Sequence, residues 1–182
     1  MSLLRPSPAR GTPLNSQGNL MRLLAALLLS LVLFSAQAEA GEVVVAPPGP
    51  NSVCPVCGMF VAKYPEWVAA VVFKDGHTHY FDGAKDLFKF MREVGKFDAG
   101  HGPGDIAIVA VTDYYAVRTL DARGAFFVVG SDVLGPMGHE LVPLASRQDA
   151  EEFMADHKGK SILTFDQVGV EILKSLDKGS AK

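Results

Sequence analysis

An apolar segment near the N-terminus limits most strongly what this chain can fold into, because it divides the sequence in two. The segment covers residues 23–34, follows the basic Arg22, and is succeeded by small residues in an Ala-x-Ala pattern. A basic start, a short apolar stretch and such an exit are typical of a secretory signal peptide. We therefore expect residues 1–40 to be an extended signal peptide, cleaved after Ala38 or Ala40. A buried core helix is the alternative.

The charge and hydropathy of the remaining residues 41–182 narrow the class of protein. Removing the three arginines and one glutamate of residues 1–40 from totals of 17 basic and 20 acidic side chains leaves 14 and 19, a net charge of −5. So acidic a chain, without a lysine and arginine cluster, lacks the electrostatic footprint of a nucleic-acid-binding protein. No later apolar run is long enough to cross a bilayer. We expect a soluble periplasmic protein that binds no nucleic acid.

The first part of this region predicts a hairpin followed by a helix. Apolar and β-branched residues over 67–73 predict a strand, and Lys74-Asp75-Gly76 predicts the turn, since glycine tolerates the positive φ of hairpin turns. The return strand is predicted over 77–81. Asp82 is the predicted N-cap of a helix, whose apolar positions recur every three to four residues as far as Val94.

The second part repeats this order weakly. Short strands are predicted over 106–111, 114–120, 125–129, 139–144 and 162–165, with a helix opened by a capping box at Ser146 and a terminal helix over 167–176. The segment 81–91 can be laid over 144–154 with Phe-Met late in each helix. The pattern predicts an α+β fold of two related ββαβ-type modules, with small antiparallel or mixed sheets packed on helices. The modules are expected over 41–99 and 105–182, joined by a glycine-rich link at 100–104.

The sulfur side chains point to a metal site. The chain has two cysteines, Cys54 and Cys57, and Met59 follows in Cys-Pro-Val-Cys-Gly-Met. Thiolate and thioether are the soft donors that select monovalent copper. The segment therefore predicts a Cu(I) site. A Cys54–Cys57 disulfide competes with this interpretation, because oxidising compartments favour disulfides.

A second methionine is a candidate ligand from a distant loop. Met137 lies between glycines and a proline, whereas Met91 and Met154 fall on periodic helix faces and are predicted core residues. Met137 is either a ligand or a gap-filling side chain. His139, two residues later, is either a ligand or an ordinary strand residue.

The remaining histidines are assigned by their context. His77 and His79 share a strand face and could clamp a metal together, although two ordinary strand residues is the favoured interpretation. His101 in the glycine-rich link and His157 near a helix C-terminus are predicted to be structural, the latter because a cation there opposes the helix dipole.

Other chemistries fit the cysteine pair less well. A structural zinc site usually takes four nitrogen or sulfur ligands, and only one Cys-x-x-Cys is present. A thioredoxin-like motif should open a helix after a buried strand, but here a proline-rich loop precedes Cys54 and Pro65 interrupts any helix. A disulfide across so short a loop would constrain little. Hydrolysis lacks a serine in a nucleophile-elbow pattern, so we expect no enzyme, and thiol–disulfide exchange remains the alternative function.

Three motifs together resemble the NosL family of accessory copper chaperones for nitrous oxide reductase. The family resemblance rests on Cys54-Pro55-Val56-Cys57-Gly58-Met59-Phe60-Val61-Ala62, His79-Tyr80-Phe81-Asp82, and Val129-Gly130-Ser131-Asp132 with Gly135-Pro136-Met137-Gly138-His139-Glu140. It covers about 54–170. Residue by residue, Cys57 and Met59 match the Cys-Gly-Met element, and Met137 matches the methionine of the Gly-Pro-Met-Gly element. Cys54 and His139 are further candidate ligands.

The resemblance implies two ββαβ-type modules and Cu(I) binding. It also implies delivery of copper toward the copper–sulfide centre of nitrous oxide reductase or a related cuproprotein. The implied partners are a cuproenzyme or a membrane copper- and sulfur-delivery machinery. Many members of the family are lipoproteins, but Asn51-Ser52-Val53-Cys54 is not a lipobox, because small residues are missing before the cysteine. We therefore expect no lipid anchor at Cys54.

Overall fold

The computed structural model describes residues 39–179, so the predicted signal segment over 23–34 lies outside the described residues. The described residues belong to one compact unit. Within the described range, no helix has the length and apolar character needed to span a membrane. The strands are β1 (Ala69–Phe73), β2 (Thr78–Phe81), β3 (Ile106–Thr112), β4 (Thr119–Asp121), β5 (Phe126–Val129), β6 (Leu134–Gly135), β7 (Gly138–His139), β8 (Val142–Leu144) and β9 (Ser161–Thr164). The helices are α1 (Ala84–Arg92), α2 (Val94–Phe97), α3 (Arg147–Asp156) and α4 (Val170–Asp177).

The α+β prediction is confirmed. The first sheet has the order β2-β1-β3-β4 and the second β8-β5-β9, and every pairing is antiparallel. In each half a central strand comes first, the next main strand lies on one side, and the strand after the helix lies on the other. The second half differs by an inserted hairpin, β6–β7, between its first two main strands.

Several predicted elements end earlier or start later than the sequence pattern indicated. The strand expected from Trp67 starts at Ala69, because residues 65–67 form a 3₁₀ turn opened by a proline. The helix expected to reach Val94 stops at Arg92, and a separate short helix follows. Of the strand expected over 114–120 only the last residues pair, since Val117 turns the chain with a positive φ of 50°.

The first sheet extends past the glycine-rich link. β3 and β4 follow residues 100–104 in the chain, yet β3 pairs with β1 along most of its length. The predicted boundary at that link therefore does not coincide with the edge of a sheet, and the division into two domains stays a prediction.

Both halves contribute to one continuous apolar core. Phe88 of α1 makes aromatic contacts with Phe127 of β5 and with Phe165, with ring centroids 5.2 and 5.0 Å apart. Each fully buried phenylalanine contributes about 1.5–3 kcal/mol from removal of its apolar surface from water. A smaller cluster around Phe153 fills the space between α3 and the second sheet. Met91 and Met154 pack against these two clusters. Helix α1 is therefore fixed firmly between the halves, and its N-terminal turn forms part of the candidate site.

Candidate metal centre

A tight loop brings the two cysteines together. The Cys54 N–H donates to the Met59 carbonyl at 2.9 Å, and the Gly58 N–H donates back to the Cys54 carbonyl at 2.8 Å. Gly58 has a φ of +78°, a left-handed conformation that glycine adopts without steric cost. Cys54 is buried, Cys57 and Met59 are half-buried, and both cysteines are free thiols.

Two carboxylates that sequence reasoning missed as site residues complete the cluster. The Cys57 thiol donates to Asp82 Oδ1 at 3.1 Å, and the Cys54 thiol donates to Asp86 Oδ2 at 3.6 Å. One potential ligand atom from each of the four residues lies within 4.8 Å of the others. Asp86 lies in the first turn of α1 and Asp82 comes directly before its N-cap residue, so both lie at the N-terminal end of this helix. We call Cys54, Cys57, Asp82 and Asp86 the sulfur cluster.

Asp82 is not the N-cap that the sequence predicted. The N-cap is Gly83, which has no capping side chain. Instead Glu140 accepts a hydrogen bond from the Lys85 N–H in the first turn of α1, at 2.6 Å. A Cβ at position 83 would lie 2.3 Å from Glu140 Oε2, so glycine is needed there. Because Glu140 performs the capping, the Asp82 carboxylate is free to face Cys57.

The second oxygen of Asp82 is unusual for a buried carboxylate. Asp82 is 1% exposed, and its Oδ2 has no hydrogen-bond partner among the described residues. Leaving a buried polar atom unsatisfied costs about 1–3 kcal/mol. Such an atom beside two thiols indicates a place where a ligand or a proton is to be received.

Burial and the neighbouring carboxylates keep both thiols protonated. Desolvation raises the pKa of Cys54 to about 11, with the Asp86 charge adding to it and backbone N–H groups opposing it. Desolvation also raises the pKa of Cys57, opposed by the Met59 backbone and reinforced by the Asp82 carboxylate. A metal ion that binds here must displace these protons, because the thiolate is the ligand.

Met137 lies on the exposed turn of the β6–β7 hairpin. Its side chain is 47% exposed. The hairpin is joined to α1 by Lys85, whose Nζ donates to the carbonyls of Met137 and His139 at 3.1 and 3.0 Å. The Lys85 side chain is almost fully buried. Thus the helix that carries Asp86 of the sulfur cluster also holds the Met137 hairpin.

The structure brings the predicted ligands of the cysteine loop together and places His139 elsewhere. Cys54 and Cys57 share the sulfur cluster, and Met59 ends the same loop. The ring of His139 lies against the end of α4, where a Cβ on Gly179 would be 3.4 Å from its Cδ2. His139 is not a member of the sulfur cluster. The ligand set itself stays a prediction.

Two neighbouring thiols and the Met59 thioether at the end of the same loop are the donor types that soft metal ions prefer. Comparison with known protein families identifies the family of this chain: the model of the NosL family matches residues 46–173. The chain therefore belongs to the NosL family.

Two individual relatives agree with this assignment. The copper-binding lipoprotein NosL of Stutzerimonas stutzeri is 28% identical over 122 residues, which cover 66% of this chain and 64% of that protein. The alignment thus spans just under two thirds of the relative's length. The crystal structure of the copper chaperone NosL from Shewanella denitrificans superposes with a TM-score of 0.59 at 25% identity, covering 70% of this chain and 97% of the other.

Proposed function

We propose that this protein is a non-catalytic Cu(I) carrier of the periplasm. It would hold copper at Cys54 and Cys57, with Met59 and Met137 as thioether ligands, and deliver it to a cuproenzyme. The proposed recipient is the copper–sulfide centre of nitrous oxide reductase, directly or through a membrane delivery machinery. The observation that carries the proposal is a pair of free thiols, one buried and one half-buried, within 4.8 Å of each other and of the two aspartates.

The donor types favour monovalent copper over other metals. Thiolate and thioether are soft ligands, and soft ligands select Cu(I). A protonated thiol pair also limits the charge that builds up, because each Cu(I) enters as protons leave. A divalent ion would be attracted more strongly than Cu(I) by the two carboxylates. Sites that bind mainly through carboxylates are typical of harder cations, however, and the thiols here are soft ligands.

The exposure of the donors suits a carrier rather than a resident cofactor site. Cys54 is buried, Cys57 and Met59 are half-buried, and Met137 is exposed. A partner's ligands can approach from the exposed side and replace the outer ligands first. A closed tetrahedral cage of protein ligands would not permit this exchange.

The surroundings of the thiols argue against the alternative, a thiol–disulfide exchange protein. Exchange requires a thiolate nucleophile, which proteins obtain by lowering the pKa with cationic neighbours or a helix N-terminus. Here both thiols donate to carboxylates, and burial raises the pKa of each. Such thiols react slowly with disulfides at neutral pH.

The same geometry bears on attachment to a membrane. Although the Stutzerimonas relative is named a lipoprotein, Cys54 is 1% exposed and its thiol faces Asp86. An acyl-modified thioether at this position would remove the sulfur from the cluster. We propose that Cys54 of this protein serves as a ligand and carries no lipid.

Titration with Cu(I) tests the proposal. The reduced protein is titrated against a chromogenic Cu(I) chelator, and one copper per chain should be retained. Cys57→Ser and Met137→Ala should each weaken retention, while Leu134→Ala, an exposed apolar residue on the same hairpin, should not. If the parent loses all copper to a weak chelator, or if both ligand variants bind like the parent, the carrier function is wrong.

A further inference from the structure

A second group of titratable side chains lies outside the sulfur cluster, where the β1–β2 hairpin meets the glycine-rich link. It consists of three imidazoles and two carboxylates, which we call the histidine cluster. Its members are His77, His79, His101, Asp75 and Asp98. Sequence reasoning favoured an ordinary strand role for the first two histidines and a structural role for His101.

Hydrogen bonds organise the cluster around Asp98. Its Oδ2 lies 2.8 Å from His79 Nε2 and 2.8 Å from His101 Nδ1. The other ring nitrogen of His101 lies 3.0 Å from Asp75 Oδ2. The His77 ring is different: within residues 39–179 its nitrogens have no hydrogen-bond partner, and its side chain is exposed. One potential ligand atom each from His77, His79 and Asp98 lies within 4.8 Å of the other two.

Aromatic packing fixes the orientation of the imidazole rings. The His101 ring is stacked on Phe73, with centroids 4.1 Å apart, and His79 packs against Phe90 at 5.0 Å. The ring of His77 lies 4.7 Å from that of His79. The imidazole rings are thus oriented by packing on phenylalanine side chains and by hydrogen bonds with carboxylates. Carboxylates orient the ligating imidazoles of metal sites in the same way.

Hydrogen bonds also hold the hairpin turn, the segment around Asp98 and the glycine-rich link in place. The Lys74 N–H donates to the Asp105 carbonyl at 2.9 Å, and Lys74 Nζ donates to the Gly104 carbonyl at 2.6 Å. The Gly100 N–H donates to Asp98 Oδ1 at 2.8 Å. The link is thereby tied to the hairpin turn.

We propose that the histidine cluster binds one divalent cation of borderline hardness, of the Zn²⁺ or Cu²⁺ type, through His77, His79 and Asp98. Imidazole and carboxylate together suit these ions, whereas thiolate and thioether suit Cu(I). The charges also match. His101 lies between Asp75 and Asp98, which hold its pKa above the ordinary value, and its two ring nitrogens donate to them. Two carboxylates and this imidazolium together carry −1, which still favours a cation. His101 and Asp75 then position the ligands from outside. The protein would hold two metals of different softness at separate places.

This site does not depend on the copper function, so its test removes the sulfur cluster first. Purified Cys54→Ser/Cys57→Ser protein is titrated with Zn²⁺ and, separately, with Cu²⁺ by isothermal calorimetry, with Mg²⁺ as a hard-ion comparison. We expect one equivalent of Zn²⁺ or Cu²⁺ and no Mg²⁺ binding. Adding His77→Ala should weaken binding by about tenfold or more, the loss typical of a disturbed metal site.

His157 offers a matched control. It also lies near an aspartate, with Nδ1 3.5 Å from Asp132 Oδ1, but its aromatic contacts are with tyrosine and phenylalanine rather than another imidazole. His157→Ala should leave the titration unchanged. Because the His77 ring is exposed and makes no hydrogen bond with the described residues, its removal should not unfold the protein, which circular dichroism checks.

Electron paramagnetic resonance of bound Cu²⁺ gives an independent readout on the same cysteine-free chain, which has no thiols to reduce the ion. Imidazole ligation should show nitrogen hyperfine structure that His77→Ala reduces. The proposal is overturned if the cysteine-free protein binds neither ion, or if His77→Ala and His157→Ala titrate alike. Loss of Cu(I) binding in the same cysteine-free protein would leave this result unaffected.

Discussion

The pH dependence of the copper affinity reports how many thiols ligate the metal. Cys54→Ser removes one of the two thiols and therefore tests that number. In the metal-free protein the thiols of Cys54 and Cys57 both donate to carboxylates. Each must lose a proton to bind Cu(I). Copper binding therefore releases protons, and the affinity must rise with pH.

The magnitude follows from the shifted pKa. Burial raises the pKa of Cys54 to about 11, so at pH 7 forming its thiolate costs about 5 kcal/mol, at about 1.4 kcal/mol per pH unit. This cost falls by about 1.4 kcal/mol for each unit of increase in pH below that pKa. With two ligating thiols the dissociation constant should fall about a hundredfold per pH unit, and with one thiol about tenfold.

The assay is a competition titration at constant ionic strength between pH 6 and 8.5. A Cu(I) chelator whose own protonation is known serves as the competitor. The parent should show a slope of two protons per copper, and Cys54→Ser a slope of one with weaker binding at every pH. Cys57→Ser provides the matching single-thiol comparison.

Two results would refute this reasoning. A slope that is the same for the parent and for Cys54→Ser would make Cys54 a bystander and leave Cys57 as the thiolate ligand. A slope near zero in the parent would mean that the thiols are already ionised without metal, contrary to the burial and carboxylate contacts described for them.

Three further results are expected. Met137→Ala should raise the dissociation constant of Cu(I) by about tenfold, equivalent to about 1.4 kcal/mol, without changing the urea midpoint, because this side chain is exposed. Lys85→Met should lower the free energy of unfolding by about 2–4 kcal/mol in urea denaturation, since it removes two charge-assisted hydrogen bonds to the hairpin; an unchanged midpoint would contradict this. Mass spectrometry of the exported protein should find Glu39 as the first residue, because Ala40 is 3% exposed and its N–H donates to the Ala145 carbonyl at 2.8 Å. A start at Gly41 would contradict that expectation.

Much of the fold could be predicted because its signals are local. The period of the apolar residues and the Asp75-Gly76 turn predicted the first hairpin and α1. The repeat of 81–91 in 144–154 predicted a similar succession of elements in both parts, but not the order of the strands within each sheet. The predicted ends of strands and helices were wrong where the backbone of one residue departs from the conformation that the apolar pattern implies. One such departure is the positive φ of Val117, which an L-residue with a branched side chain rarely adopts.

The candidate site could be predicted only where its residues are adjacent in sequence. Cys54 and Cys57 formed an obvious pair. Asp82 was assigned as a cap because nothing local shows that Glu140, more than fifty residues away, performs the capping. The roles of long-range partners depend on which loops the fold brings together. A pair of acids four residues apart was the available signal: Asp82 ends the His79–Asp82 motif, and Asp86 lies in the first turn of α1.

The burial of the sulfur atoms suggests the order in which copper leaves the protein. The proposed donors range from Cys54, which is 1% exposed, through the half-buried Cys57 and Met59 to Met137, which is 47% exposed. An incoming ligand can reach the thioether of Met137 first, so that bond is exchanged without exposing the buried thiol. The last step is different, because releasing copper from Cys54 leaves a buried thiolate beside Asp86 unless a proton arrives at the same time. Transfer should therefore slow as pH rises, even though the equilibrium affinity of the carrier increases.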